Sequence, residues 1–129
     1  MLTPDQLRVN EVWIAVRVNE SFVFVQDEPY DVYVLMDAAS AYVFGHVLAK
    51  IEDEVPHEED VDNLFKEAWG AKRQWPEKLI VPENELAEDL FRKQAQKNGL
   101  SFDTVQMSDL SLIIGPLKEL FASDFGHTS

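Results

Sequence analysis

The sequence has 129 residues, of which 46% are hydrophobic, and its 24 acidic residues against 11 basic ones give a net charge of −13. A chain of this length fits one domain with one apolar core. A strongly negative field repels nucleic-acid phosphates, so we do not expect a DNA- or RNA-binding protein. Because the chain has no Cys, disulfides, thiolate metal sites and cysteine nucleophiles are excluded.

The domain organisation is simple because no linker, repeat or low-complexity tract interrupts the chain. Residues 1–129 are expected to form one domain, with residues 1–10 as a lead-in segment and residues 124–129 as a tail. Thr3 and Pro4 favour one helical turn in the lead-in. The chain shows neither a signal-peptide pattern nor an apolar run long enough to cross a membrane. We therefore expect a soluble, cytoplasmic protein.

Hydrophobic alternation predicts the first strands. From Val12 to Val18 the apolar residues recur at every second position, which predicts a strand with one buried face. Residues 22–25 favour an additional short strand, which we expect Pro29 to terminate because proline cannot donate to a ladder.

The clearest element of the sequence is a hairpin of two apolar runs, residues 32–36 and residues 42–48. A short turn that begins at Asp37 and contains Ser40 joins them. Asp37 ends a buried strand, a position that suits a catalytic acid. Aspartate at the start of a turn commonly accepts backbone N–H bonds instead, and we expect this structural role.

Helical periodicity follows the hairpin. A stripe of apolar residues over 58–69 predicts a first helix that ends at Gly70, and residues 78–81 predict a short buried strand. A second helix is expected from about Asn84 to Asn98. Its inward side chains would be Leu86, Leu90, Phe91 and Ala95, and its outer face would pair Glu88 with Arg92 and Asp89 with Lys93.

The last elements are an edge strand over residues 102–107 and a final helical region that opens near Ser108. We expect the pair Gly115 and Pro116 to interrupt that helix, because proline lacks a backbone N–H. The apolar side chains expected to pack inward after the interruption are Leu117, Leu120 and Phe121.

Two stretches resemble the integrase and transposase-core branch of the ribonuclease H-like superfamily. In residues 33–45 a hydrophobic run ends in Asp37, Ser40 follows three positions later, and an apolar strand with a glycine comes next. In residues 76–84 a Pro-led apolar strand delivers an acid that is followed by Asn. The resemblance covers residues 11–121 and implies an α/β fold with a mixed five-stranded sheet. In that fold a three-stranded antiparallel meander precedes helix, strand, helix, strand and helix.

The resemblance also implies where catalytic carboxylates would lie. Enzymes of this family hold two divalent metal ions with acids from strand one, from just past strand four and from the last helix. Glu83 and Glu119, with 35 residues between them (119 − 83 − 1), match the second and third acids. The first position falls on Val16, which cannot ligate a metal ion. Asp27 and Glu20 are the other acids near the first hairpin, and both lie at turns.

We therefore expect a degenerate, bacterial member of the superfamily that is not an enzyme and acts as a binding or interaction domain. Its partner would be a protein or a small molecule, and no cofactor is expected. The crevice past the carboxyl ends of strands one and four is the expected site, because helices leave the sheet in opposite directions there. Arg17, Glu83 and Glu119 are the residues expected to line it.

Two alternatives stay open at this point. The first is a nuclease or phosphotransferase that depends on Mg²⁺ or Mn²⁺ and uses Glu83, Glu119 and an acid from the first hairpin, with Asp27 as the candidate. The second is a self-associating structural protein, a homo-oligomer in which three aromatic residues near the start of the chain supply the contact. Those residues are Phe22, Phe24 and Tyr30.

Overall fold

A mixed β-sheet carries helices on both faces in the computed structural model, which describes residues 2–19 and 22–125. The strands are β1 (Val12–Arg17), β2 (Val23–Val25), β3 (Glu28–Asp37), β4 (Val43–Lys50), β5 (Lys78–Pro82) and β6 (Ser101–Val105). The helices are α1 (Glu58–Lys72), α2 (Glu88–Asn98) and α3 (Ser111–Phe125), and short 3-10 turns lie at Pro4–Gln6, Ile51–Asp53 and Met107–Leu110.

The spatial order of the five principal strands is β4-β3-β1-β5-β6. Strand β3 is antiparallel to β1 and to β4, whereas β5 is parallel to β1 and to β6. The expected meander, followed by alternating helices and strands, is therefore confirmed. The expected edge strand is β6, and the other edge of the sheet is β4.

Strand β2 is the additional short strand, and it brings the sheet to six. It forms a hairpin with the start of β3 through a two-residue turn, in which Gln26 and Asp27 have φ angles of 53° and 66°. Positive φ at both central residues is the turn geometry that matches the twist of paired strands. Pro29 was expected to end a strand but lies inside β3, opposite Phe24. It is tolerated because the ladder between β3 and β4 begins only at the next residue, Tyr30.

The core has two layers, one on each face of the sheet. On the α1–α2 face, Trp13 and Ala15 pack with apolar residues of those two helices, and on the α3 face Ile14 and Val16 pack with residues of α3. The prediction that the first strand is half-buried is therefore wrong. Because helices cover both sides of the sheet centre, β1 is buried on both faces.

A bulge in the β3–β4 hairpin changes which face of the sheet its side chains occupy. The register between β3 and β4 shifts at Leu35 and Met36. After the shift Phe44 packs on the α1–α2 face, where its ring centroid lies 4.7 Å from that of Trp13. Leu48 contacts the opposite cluster. A bulge adds one residue to one strand, so simple alternation cannot be followed across it.

Helix α1 continues past Gly70 and ends at Arg73, which takes the left-handed conformation with φ 57°. The expected end at Gly70 is wrong because Arg73, not the glycine, adopts the conformation that terminates the helix. The basic residues here stack on aromatic rings. Lys72 lies 5.5 Å from the centroid of Tyr42, and Arg73 lies 5.3 Å from that of Trp69.

Helix α2 begins at Glu88, later than expected, because Asn84 has a φ of 63° and lies in the preceding loop. Leu86 was expected to point inward, but it lies before the helix and is 63% exposed. Arg92 binds both Glu88, at 2.7 Å, and Asp89, at 3.1 Å. The expected pairing of Asp89 with Lys93 is therefore wrong, since Asp89 pairs with Arg92.

Helix α3 runs through Pro116 without interruption. The proline leaves only the carbonyl of Leu112 without its helical donor, and Leu112 lies on the exposed side, where water can replace that bond. Leu120 was expected to pack inward but is 64% exposed. The helix extends to Phe125, two residues into the expected tail, and the rest of that tail lies outside the described residues.

The lead-in segment contains the expected turn at Pro4–Gln6 and also contributes to the core. Leu2 and Leu7 pack against the cluster on the α3 face, and the amide of Leu2 donates to the carbonyl of Asp109 at 3.0 Å. Within residues 2–19 and 22–125, none of the helices has the length and apolar character needed to cross a membrane.

The turn between β3 and β4 depends on the fully buried carboxylate of Asp37. It accepts bonds from the amide of Asn10 at 2.7 Å, from the amide of Ser40 at 2.9 Å and from the Ser40 hydroxyl at 2.6 Å. The structural role expected for Asp37 is therefore confirmed. The bond from Asn10 also joins the lead-in segment to the hairpin.

Replacing Asp37 with Ala is expected to lower the free energy of unfolding by roughly 3 kcal/mol, because three donors lose a charged acceptor in a buried place. Urea unfolding measures the change. Asp5→Ala, at an exposed aspartate, is the control and should change stability by less than about 0.5 kcal/mol. Equal effects of the two substitutions would contradict the role assigned to Asp37.

Candidate functional site

The expected crevice lies past the carboxyl ends of β1 and β5, since β5 is the fourth of the five principal strands in chain order. These two parallel strands end side by side. Ile14 pairs with Ile80, so Arg17 and Glu83, each three residues further along, lie at the same level of the sheet. The register thus places both residues at one edge of the sheet, and their role in lining a binding site stays a prediction. Strand β3 runs in the opposite direction and begins beyond this edge, which places its early residues next to the crevice.

A buried carboxylate lies at the centre of this edge. Asp31 is 6% exposed and accepts a hydrogen bond from the side-chain amide of Asn19 at 2.9 Å. The guanidinium of Arg17 lies 3.5 Å from the same carboxylate. The Asn19 side chain also accepts a bond from the amide of Val32 at 2.8 Å. Asp31 thus has a cationic and an amide partner, as a buried charge requires.

A second polar contact joins β3 to the loop before α2. The phenol of Tyr33 donates to the carboxylate of Glu85 at 3.0 Å, and its ring lies 5.9 Å from that of Phe91. Burial raises the pKa of the Tyr33 phenol, and the charge of Glu85 and its hydrogen bond raise that pKa further. We call Arg17, Asn19, Asp31, Tyr33 and Glu85 the crevice network.

The crevice network satisfies its own polar groups. In the described part of the chain, no buried side-chain nitrogen or oxygen is without a hydrogen-bond partner. The network therefore ties β1, β3 and the α2 loop together and stabilises this end of the sheet. Its cation, the Arg17 guanidinium, stays accessible, since that side chain is 41% exposed. This group can contact an acidic or polar ligand.

Glu83 and Glu119, the two acids expected in the site, have different surroundings. Glu83 is exposed, and its amide donates to the carbonyl of Val105 at 2.8 Å. Glu119 is also exposed. The side of α3 that meets the sheet carries Leu117 and Phe121. Two residues correspond to about 200° around a helix, so Glu119 lies on the side of α3 away from the sheet.

Asp27, the third candidate acid, lies in the turn between β2 and β3. It lies seven positions before Val34, the strand partner of Val16, which corresponds to roughly 23 Å along an extended chain. The structure therefore does not bring Asp27 to the centre of the first strand. Glu20, the other acid considered, lies outside the described residues.

The centre of the first strand is apolar. Val16 is fully buried in the cluster on the α3 face and lies opposite Val34. Across residues 2–19 and 22–125, no three His, Cys, Asp or Glu side chains lie close enough together to hold a metal ion. The described residues therefore do not form the carboxylate cluster of a two-metal centre.

Most of the crevice network was not anticipated from the sequence, which pointed only to Arg17. Asp31 and Tyr33 do carry a signal, because they occupy alternate positions on the strand that enters the hairpin. A charged residue on the buried face of a strand requires a partner, and Arg17 on the preceding strand has the opposite charge. Glu85 carries no such signal, since its contact with Tyr33 depends on how the loop folds.

Comparison with known proteins identifies the architecture. One chain of the simian T-cell lymphotropic virus intasome, solved by cryo-electron microscopy in complex with PP2A regulatory subunit B56 gamma, aligns with a TM-score of 0.52 at 16% identity. The alignment covers 96% of this protein and 43% of that chain. The dimeric HTLV-2 integrase catalytic core domain in complex with magnesium aligns with a TM-score of 0.49 at 13% identity, over 92% and 76% of the two chains.

No protein-family model matches the sequence, and no curated protein matches it. The protein spans less than half of the intasome chain that it resembles. At this identity the likeness concerns the fold alone. The protein has the mixed α/β architecture of the ribonuclease H-like fold, with β2 as a short addition to the five principal strands.

The raised pKa of Tyr33 gives the protein a pH-dependent stability. The phenol ionises near pH 10 in the unfolded chain and at higher pH in the folded one. Its stabilising contribution is therefore complete below about pH 10 and is lost as the pH rises from there through the folded pKa, at up to about 1.4 kcal/mol per pH unit. Urea unfolding between about pH 8 and about pH 11 measures this loss.

The variant Tyr33→Phe should remove this part of the alkaline decline, because it has no phenol to ionise. Tyr42→Phe is the matched control, since Tyr42 is 54% exposed. Identical pH dependence in the two variants would refute the assignment of the alkaline decline to Tyr33.

Proposed function

We propose that the protein is a non-catalytic interaction domain, a degenerate member of the ribonuclease H-like superfamily. Val16 is the observation that supports this proposal. It lies at the centre of β1, where enzymes of the superfamily carry their first carboxylate, and it is buried among apolar side chains. A bacterial origin and a cytoplasmic location stay predictions from the sequence.

The surroundings of Val16 are the physical argument against a metal site there. A hydrated divalent ion needs oxygen ligands, and burial of a charge without ligands costs several kcal/mol or more. Val34 opposite Val16 is 6% exposed, and Ile113 and Ile114 of the same cluster are 2% exposed. Side chains of this kind exclude water and stabilise the sheet through packing.

An interaction role is supported by the β2–β3 hairpin. Phe22 is 51% exposed, Phe24 is 67% exposed and Val25 is 40% exposed. Phe22 and Phe24 lie two residues apart, so their side chains extend to the same side of the chain, and exposed apolar side chains that lie together commonly mark a surface that another molecule covers. The same observation favours self-association as a second candidate function, in which two copies cover their hairpins mutually.

The metal test separates the proposal from the enzymatic alternative. Calorimetric titration of Mn²⁺ into the wild type and into Glu83→Gln should give the same weak heats, with no dissociation constant below about 1 mM. Asp5→Asn, an equal change of charge at an exposed acid, is the control. Tight binding that only Glu83→Gln abolishes would assign the protein to the nucleases or phosphotransferases that depend on Mg²⁺ or Mn²⁺.

Val16→Asp tests the same point through stability. An unpaired carboxylate in this cluster should lower the free energy of unfolding by more than about 3 kcal/mol, and Mn²⁺ should not restore it. Val34→Asp, which places the acid on the neighbouring strand of the same face, is the matched control. Recovery of stability by Mn²⁺ in Val16→Asp alone would reveal a latent metal site and contradict the proposal.

Self-association predicts a concentration-dependent mass in static light scattering. The double substitution Phe22→Ser and Phe24→Ser should give a monomer at every concentration, because it removes the exposed rings without touching the core. Leu120→Ser, at a side chain of similar exposure on α3, is the control. A wild type that is monomeric throughout would exclude the second candidate and leave the interaction role to another partner.

A further inference from the structure

Strand β4 forms one border of the sheet. Its eight residues, Val43–Lys50, pair with β3 along one side. Among the residues that the structure describes, no strand pairs with the other side. The outward backbone N–H and C=O groups of an edge strand can accept an additional strand from another chain.

A groove of about 320 Å³ runs along this open edge, between β4 and helix α1. The strand contributes His46, Val47 and Leu48 to its lining. The helix contributes Asp60 and Glu67, which lie seven residues apart and therefore on the same side of α1. The groove thus combines an open backbone with a stripe of acidic side chains.

Close packing fixes the helix beside the edge. A β-carbon at Gly45 would lie 3.0 Å from Cδ1 of Leu64 and 3.1 Å from a carboxylate oxygen of Glu67. Real β-carbons rarely approach another atom so closely, and the absence of a side chain at Gly45 lets α1 rest against β4. Glu67 is therefore held next to the strand edge.

The acids of the groove differ from the neighbouring acid on the same helix. Asp62 points toward α2, where it accepts bonds from Gln94 and from Lys97. Asp60 and Glu67 are exposed, and neither forms an ion pair with any residue in the described ranges. The α1 side of the groove therefore carries two negative charges with no internal counter-charge.

The charge of the groove decides between the possible occupants. A second copy that paired its own β4 with this one would bring Asp60 and Glu67 of both copies close together, and like charges would repel. A basic segment would have the opposite charge and would also be attracted by the net charge of −13.

We propose that the outer edge of β4 binds an extended basic segment of a partner protein by strand addition. Every second side chain of the added strand would face α1, where Lys or Arg would meet Asp60 and Glu67. The intervening side chains would face His46 and Leu48 on the opposite side of the sheet. This inference rests on the proposed function, since it names the kind of partner that the interaction domain binds.

The test uses a fluorescein-labelled decapeptide of alternating lysine and threonine, with fluorescence anisotropy for affinity and amide NMR shifts for the location of binding. The wild type should bind this peptide with amide shifts concentrated in residues 43–50, and binding should weaken with salt. A peptide in which glutamate replaces lysine should not bind. A third peptide, N-methylated at alternate residues so that it cannot pair with a strand, should also fail to bind.

Two double variants with the same change of net charge distinguish an effect of the groove acids from an effect of the overall negative charge of the protein. Asp60→Asn with Glu67→Gln should weaken peptide binding by about tenfold. Asp5→Asn with Glu77→Gln removes two exposed acids outside the groove and should change the affinity by less than about twofold.

Equal losses in the two double variants, equal binding of the N-methylated peptide, or amide shifts outside residues 43–50 would each overturn the inference. A dimer in sedimentation whose amide contacts map to β4 would also overturn it, because a second copy would then occupy the edge. The Mn²⁺ titration of the same samples reports separately on the proposed function. No peptide binding together with no metal binding refutes the inference alone, whereas tight metal binding refutes the proposed function.

Discussion

Burial of β1 on both faces is the constraint on which the rest of the structure depends. Trp13 and Ala15 anchor one core layer, while Ile14 and Val16 anchor the other. A strand covered on both sides needs apolar residues at nearly every position. The apolar side chain of Val16 that stabilises the sheet is also the observation on which the proposed function rests. Fold and proposed function therefore have one physical origin in the composition of a single strand.

Polar groups are accordingly concentrated at the two ends of β1. At its amino end Asp37 accepts two hydrogen bonds from Ser40 within the hairpin turn and one from Asn10 of the lead-in segment. At its carboxyl end the crevice network joins β1 to β3 and to the loop before α2. In each place a buried carboxylate has partners from sequence-distant segments, so these contacts favour one arrangement of the strands over others. The surfaces proposed for interaction lie elsewhere, on the β2–β3 hairpin and on the outer edge of β4.

The sequence was sufficient for the order of the elements because alternation and helical periodicity report burial locally. The predictions from the sequence were wrong where a bulge or a single left-handed residue changed what the pattern of apolar residues indicates. The bulge opposite Leu35 places Phe44 and Leu48 on opposite faces, although simple alternation would place both on one face, and the left-handed residue Arg73, not Gly70, terminated α1. In the site, the level shared by Arg17 and Glu83 followed from the expected parallel pairing. The contact between Tyr33 and Glu85 did not, because it joins residues 52 positions apart through the conformation of a loop.

The strand order has a consequence for how the protein folds. Only residues 18–27 separate the central strand from its neighbour β3, whereas its other neighbour, β5, begins only at Lys78. Contacts between residues close in sequence form sooner than those that require a long loop to close. During synthesis the antiparallel half of the sheet can therefore assemble while one side of β1 is still unpaired. An apolar strand with an open side is prone to aggregate, so the arrival of β5 is the step that protects the nascent chain.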